Sequence, residues 1–198
     1  MRLSEPRIVP VDLSKIDDEQ REALAVFAST ARDVTRSAGP VLNIFRTLVR
    51  APQALKSFLA WGGYILSPRN SLSERDRELV ILRTGVNCGS GYEFTQHTSI
   101  GLAAGLTEAE IEAIKAGPGD PSWSPQDRAM LQATDDLTRD FHVSDASWAA
   151  LSFLSDKQKM DLVMTVGQYT QVSMMLNSFG VQLDPGQKLD PALDRRAG

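Results

Sequence analysis

A series of helix-start signals, each followed by apolar residues at helical spacing, constrains this chain more than any other feature. Thr107-Glu-Ala-Glu110 and Ser155-Asp-Lys-Gln158 match the capping box, in which a hydroxyl and a Glu or Gln three residues on satisfy each other's backbone N–H groups. Ser73-Glu-Arg-Asp76 is close to it, with Asp in place of Glu, and Ser124-Pro125-Gln126-Asp127 adds proline at the first helical position. The apolar runs behind these starts are Leu79 to Val86, Ile111 to Ile114, Ala129 to Leu137 and Leu162 to Leu176. Upstream, Leu24, Phe27, Ala28, Ala31 and Val34 predict a helix from Asp17 to about Ala38, ended by Gly39-Pro40. A short helix is expected around Asn43–Val49. Another starts at Pro52 and carries Leu55, Phe58, Leu59 and Ile65 to the Ser67-Pro68 break. Gly105 and Gly117 stand where helix ends favour positive φ. No run alternates with period 2 over more than about five residues, so the expected fold is all-α with about eight or nine helices. Leu72-Ser73 followed by Leu79-Val80 and Gly85 is echoed, one residue out of step, by Leu154-Ser155, Leu162-Val163 and Gly167, a weak sign of a repeated helix pair.

With 198 residues the chain can bury roughly 70% of its unfolded surface, enough for one core. The organisation expected is an N-terminal arm and helix over 1–40, a helical domain over 41–183 and a tail over 184–198. After Gly180 the chain is polar and proline-broken, which suggests an arm that is disordered or docked on a neighbouring subunit. Lys and Arg total 21 against 25 Asp and Glu, a net charge of −4 with no basic cluster. That balance argues against nucleic acid or an anionic membrane as the main partner. No apolar stretch approaches the ~18–20 residues needed to span a bilayer, and the N-terminus lacks a signal peptide's apolar segment, so a soluble cytoplasmic protein is expected. Asp161–Asn177 is apolar nearly all round, as in a helix buried in the core or at a subunit contact, and a homo-oligomer is expected.

The chain has one cysteine, Cys88, and two histidines, His97 and His142. An internal disulfide, a four-thiolate metal site and a three-histidine site are therefore impossible within one chain. Chemistry concentrates in residues 73–105, which read as a helix over about 74–87, a tight Asn87-Cys88-Gly89-Ser90-Gly91 turn and a second helix from about Tyr92 to Ala104. Glu93 and His97 are four apart and share a helix face. The turn brings the first helix back, so Glu78 can stand beside His97. One carboxylate can then fix the imidazole while the other ring nitrogen moves a proton. The same spacing also suits a solvent-facing Glu93–His97 pair, with Glu78 on the surface beside Arg75 or Arg83. Cys88 suits a buried small hydrophobe as well as a nucleophile. Tyr92 can cap the pocket or simply pack, and His142 falls in an exposed loop. No metal is expected, since Glu-x-x-x-His occurs once and no second histidine supports it.

ERDRELVILRTGVNCGSGYEFTQHTSIGLAAGLTEAEI resembles the core of the carboxymuconolactone decarboxylase family, the superfamily that includes alkyl hydroperoxidase D. VLNIFRTLVRAPQALKSFLAWGGYIL and DLVMTVGQYTQVSMMLNSFGVQL resemble longer members, so the likeness covers about residues 40–183. It implies an all-helical fold assembled as dimers, trimers or hexamers, with pockets near subunit contacts. In the hydroperoxidase branch a glutamate precedes a Cys-x-x-Cys-x-x-x-His motif. Counted back from His97, those cysteine positions hold Ser90 and Glu93, and the glutamate falls on Glu78. Peroxide reduction through an intramolecular disulfide is therefore excluded. The decarboxylase branch carries Tyr-Glu-x-x-x-His, which Tyr92, Glu93 and His97 match. That implies a pocket for a carboxylated lactone or oxo acid from aromatic breakdown, with His97 as general acid oriented by Glu78. Ser90, Cys88, Tyr92, Trp61 and Tyr64 are candidate substrate-binding residues, and no cofactor is expected. Isomerisation, lactone opening and hydration use the same proton transfers. Two other readings stand beside this one: a one-cysteine peroxidase built on Cys88, and a small-molecule binder without catalysis.

Overall fold

Side-chain caps fix where most of the helices begin. In the computed structural model, which describes residues 3–25 and 41–194, Thr107 with Glu110 and Ser155 with Gln158 both close reciprocal capping boxes. Ser73 accepts from the Asp76 N–H, Ser124 from that of Asp127 and Ser144 from that of Ser147. Asp17 and Gln20 bond each other's backbone N–H groups at a start the apolar pattern alone had marked. The helices so placed are α1 (18–25), α2 (Asn43–Leu48), α3 (Pro52–Ile65), α4 (Glu74–Asn87), α5 (Gly91–Ala103), α6 (Glu108–Ala116), α7 (Pro125–Asp140), α8 (Asp145–Ala150) and α9 (Asp156–Phe179). Among the described residues there are no strands, and the all-α expectation holds. Single 3-10 turns cover Leu13–Lys15 and Pro191–Leu193. Gly105 and Gly117 take φ of +104° and +91°, as their places after helix ends required. The expected helix over 17–38 is seen to residue 25, while Phe27, Ala28, Ala31, Val34 and the Gly39-Pro40 break lie outside the described residues. Helix α8 was not foreseen: its six residues bury only Ser147, so no apolar periodicity announces it.

Helix α4 is the axis of the fold. It is buried continuously from Arg77 to Val86 and packs against α5, α6, α7 and α9. The largest core cluster joins Leu79 and Leu82 to Phe94, Ile114, Leu131 and Leu162. A helix wrapped by neighbours cannot leave its charges to solvent, and they are paired sideways. Arg75 bonds Asp127 at 2.8 Å and also Glu110, and Arg83 bonds Asp135 at 2.6 Å. These contacts fasten α4 to α6 and α7. They also leave Arg75 and Arg83 committed elsewhere, so the surface pairing open to Glu78 does not form.

Residues 7–11 and 184–193 fold back on the same chain. Arg7 and Ile8 N–H groups donate to the Phe179 carbonyl at 2.9 and 3.1 Å, and Val11 N–H donates to the Arg46 carbonyl at 2.9 Å. As far as Asp194 the tail, expected to be disordered or docked on a neighbouring subunit, packs on its own chain. Leu193 is buried in the main core cluster, and Lys115 holds Asp190 at 2.7 Å. Asp184 accepts from the Asn43 N–H at 2.8 Å, the Tyr92 hydroxyl at 2.6 Å and the Gln96 amide at 2.7 Å. Helix α9 is buried along Leu162, Val166, Tyr169, Val172 and Leu176, but Met160 and Met174 remain more than half exposed. No helix among the described residues is long and apolar enough to cross a membrane.

The tail contact yields a stability prediction. Asp184→Ala leaves the buried Tyr92 hydroxyl without its acceptor and should cost about 1–3 kcal/mol, read as a lower urea midpoint at unchanged slope. Adding Tyr92→Phe should recover part of that loss, because the orphaned hydroxyl goes with it.

Candidate active site

The α4–α5 connection is a tight turn whose geometry is locally determined. Asn87 closes α4 with its amide on Asp135 (2.7 Å) and Thr138 (2.9 Å) of α7. Gly89 then takes φ +61°, a left-handed conformation that favours glycine, and Ser90 N–H returns to the Gly85 carbonyl at 2.8 Å. The two helices thereby run back against one another.

This return places Glu78 of α4 on His97 of α5. Glu78 Oε2 lies 2.6 Å from His97 Nδ1, and Glu93 Oε1, one turn before the histidine, lies 3.0 Å from Nε2. The three side chains are 2%, 5% and 9% exposed, so the alternative of a solvent-facing pair is ruled out. Burial works against an imidazolium here, but the Glu78 and Glu93 carboxylates outweigh it and push the His97 pKa up to about 10. At neutral pH both ring nitrogens therefore carry protons, each donated to a carboxylate. The sequence reading had left one ring nitrogen open toward substrate; instead Glu93 stands there.

A fourth residue completes the cluster. Tyr169 of α9 packs edge-on against His97, with ring centroids 4.9 Å apart and planes at 85°. Its hydroxyl makes no hydrogen bond among the described residues. Burial, then Glu93 and Glu78, hold its pKa well above the usual range, with Arg77 opposing them. Tyr169 sits in an apolar run and Arg77 in the charged stretch SERDRE, so their sequence surroundings suggest core and surface respectively. Only the packing of α9 on α4 brings them in.

The other candidates are placed differently. Of the two alternatives open for Tyr92, the fold shows packing: it is buried among Ile44, Val172, Leu176 and Val181, with its hydroxyl bound to Asp184. One residue of helix rotation separates it from the Glu93–His97 face. Trp61 is 40% exposed and stacks on Tyr64 at 5.5 Å. The Tyr64 hydroxyl bonds Asp161 at 2.6 Å, and its ring packs beside the Ile65–Ile81–Tyr169 cluster at the back of the site. Cys88 caps the C-terminus of α4, half-buried, and its carbonyl accepts from the Asn177 amide at 2.9 Å. Ser90 is fully buried, and its hydroxyl has no partner among the described residues. His142 is exposed, as expected. A cavity of about 300 Å³ lies between α2, α3 and α9, lined by Leu48, Leu55, Phe58, Met175 and Phe179 with Arg50, and does not include the Glu78–His97–Glu93 cluster. Among the described residues no group of three or more His, Cys, Asp or Glu side chains is arranged to hold a metal ion.

Residues 52–136 match the model of the carboxymuconolactone decarboxylase family. A search among curated proteins finds no match. Of the solved structures, a variant of the debrominase Bmp8 in complex with 2,3,4-tribromopyrrole aligns with TM-score 0.74 at 11% identity, covering 92% of this chain and 94% of that one. An uncharacterized peroxidase-related protein with an alkylhydroperoxidase AhpD core, from Ralstonia eutropha JMP134, aligns with TM-score 0.67 at 18% identity, covering 91% and 93%. A protein of unknown function from Agrobacterium tumefaciens, suggested to be the antioxidant defence protein AhpD, aligns with TM-score 0.65 at 21% identity, covering 69% and 94%. At these identities the likeness establishes the fold, within which the chain holds one cysteine and no Cys-x-x-Cys pair. Residues 52–136 thus resemble the carboxymuconolactone decarboxylase family, and the chain has an alkyl hydroperoxidase D-like all-helical fold.

Proposed function

We propose that this protein is an acid–base enzyme that decarboxylates, or moves a proton on, a small carboxylated lactone or oxo acid. The observation that carries this is the buried Glu78–His97–Glu93 relay, with both ring nitrogens engaged by carboxylates. An imidazolium with a pKa near 10 keeps its proton at neutral pH and yields it only to a stronger base. The enolate-like carbon left when carbon dioxide departs is such a base. Glu93 is the member that meets the substrate: the Nε2–H proton crosses to its carboxylate and on to carbon, leaving a neutral imidazole that solvent reprotonates. Glu78 stabilises the imidazolium through Nδ1–H and fixes the ring. Assembly into a homo-oligomer belongs to the same proposal, supported by the exposed Met160, Met174 and Trp61. A cytoplasmic setting is consistent with it.

Turnover of a panel of carboxylated lactones and oxo acids, followed by carbon dioxide release and deuterium uptake from solvent, tests the relay. His97→Gln should reduce the rate by roughly 10²–10⁴-fold with the fold intact, and Glu93→Gln should do the same. Survival of the rate in His97→Gln would overturn the mechanism. Turnover that is absent in the native protein and instead follows Cys88 with a peroxide and an external thiol would point to the one-cysteine reading.

The protonation of His97 sets a pH dependence with a definite sign. Its pKa rises from 6.5 in the unfolded chain to about 10 in the folded one. The stability it contributes is therefore complete below about pH 6.5 and is lost as pH rises through about 10. Urea midpoints should fall across that alkaline window, and His97→Gln should flatten the fall. The rate of the native enzyme should decline over the same window as the imidazolium loses its proton.

A further inference from the structure

Helix α4 carries three arginines, and two of them are fully engaged. Arg75 bonds Asp127 and Glu110, and Arg83 bonds Asp135 at 2.6 Å and the Ile114 carbonyl at 2.9 Å. Arg77 is the most buried of the three, at 6% exposed, and the least satisfied. Its Nε has no partner, its Nη1 reaches only the Ser67 carbonyl at 3.5 Å, and it forms no ion pair among the described residues. A guanidinium taken out of water without a carboxylate is costly, and arginine is almost never this buried unpaired.

Its place in the fold says what such a cation can serve. Arg77 shares a face of α4 with Ile81, which packs with Ile65 and Tyr169, while its head group reaches toward the turn that ends α3. Arg77 therefore stands in the corner between α3, α4 and α9, beside the residue whose ring touches His97. The Tyr169 hydroxyl in that corner also has no hydrogen-bond acceptor among the described residues, and burial with the two carboxylates nearby keeps it protonated and able to donate. With His97 charged, Glu78, His97 and Glu93 sum to one negative charge, which would repel an anionic substrate. Arg77 cancels it.

We propose that Arg77 and Tyr169 form the subsite that receives the carboxylate of the substrate, holding the adjoining carbon toward Glu93. This rests on the relay described above as the reacting centre and adds to it the group that selects anions. A planar carboxylate can accept two parallel N–H bonds from the guanidinium and one O–H bond from the tyrosine, contacts that a neutral amide of the same shape cannot reproduce.

The test uses 2-furoate, a five-membered ring bearing a carboxylate, against the neutral 2-furamide, by isothermal titration at neutral pH with thermal melts to confirm folding. The native protein should bind 2-furoate in clear preference to 2-furamide. Arg77→Gln should weaken 2-furoate roughly tenfold or more and leave 2-furamide unchanged, and Arg77→Lys should retain part of the binding. If the Arg77 variants do not fold, Tyr169→Phe, which keeps the ring, should lose several-fold in 2-furoate affinity alone. No preference for 2-furoate in the native protein overturns the assignment. So does unchanged 2-furoate affinity in Arg77→Gln with a shifted His97 titration, which would make Arg77 a charge offset and nothing more. Because the titration reads binding without turnover, its failure leaves the relay standing, and a failed turnover test leaves this subsite standing.

Discussion

Everything in this structure is arranged around a histidine held between two carboxylates inside a protein core. Burying Glu78 and Glu93 alone would be prohibitive, since each ionised carboxylate loses its hydration. An imidazolium between them, at 2.6 and 3.0 Å, makes the arrangement tolerable and takes its raised pKa from the same contacts. The two helices that supply the three residues must therefore stay in register, and the rest of the fold secures that. The Gly89 turn sets the return, the Asn87 amide ties the end of α4 to α7, and α9 covers the site with Tyr169.

Placing this cluster on the most enclosed helix has a further consequence. Helix α4 has no solvent face between Arg77 and Val86, so every charge on that stretch needs an internal role. Arg83 finds Asp135 and the end of α6, and Glu78 finds His97. The charged stretch SERDRE looks like the polar face of a surface helix in one dimension, and the fold uses it as a set of internal connectors. Arg77, left over from this pairing, is where the interior retains the capacity to bind an anion.

How much of this was legible in the sequence depends on the range of the interaction. Helix starts at Ser73, Thr107, Ser124 and Ser155 were readable because a cap is closed within three residues, and α4, α5 and the Glu93–His97 pair followed from spacing alone. Glu78 was readable one step further, through a turn of four or five residues. The resemblance in the 74–111 stretch pointed to the same residue, and that stretch lies within residues 52–136, which match the family model. Contacts across more than 70 residues were not readable. Tyr169 reaches His97 from α9, and Asp184 in the tail takes the Tyr92 hydroxyl. The sequence left Tyr92 open between capping the pocket and packing for that reason: it adjoins Glu93, but a one-residue step turns it by about 100° around the helix to the tail side.

The N-terminus of α5 shows local rules giving way to the site. Ser90-Gly91-Tyr92-Glu93 is a capping-box pattern like those that close at α6 and α9, yet here it does not close. The Ser90 hydroxyl caps nothing and has no partner among the described residues, and Glu93 turns to His97 instead of back to the helix start. A cap is typically worth about 1 kcal/mol, so helix stability is forgone at this position. Ser90 and Glu93 are also the two positions at which the hydroperoxidase pattern carries its thiols. The relay behind them, Glu78 and His97, is the same in either case. A dithiol placed at those positions would pass electrons; under the proposed function, the carboxylate at the second of them would pass protons. Where the sequence could have satisfied its own helix with Glu93, the fold pairs Glu93 with His97 instead.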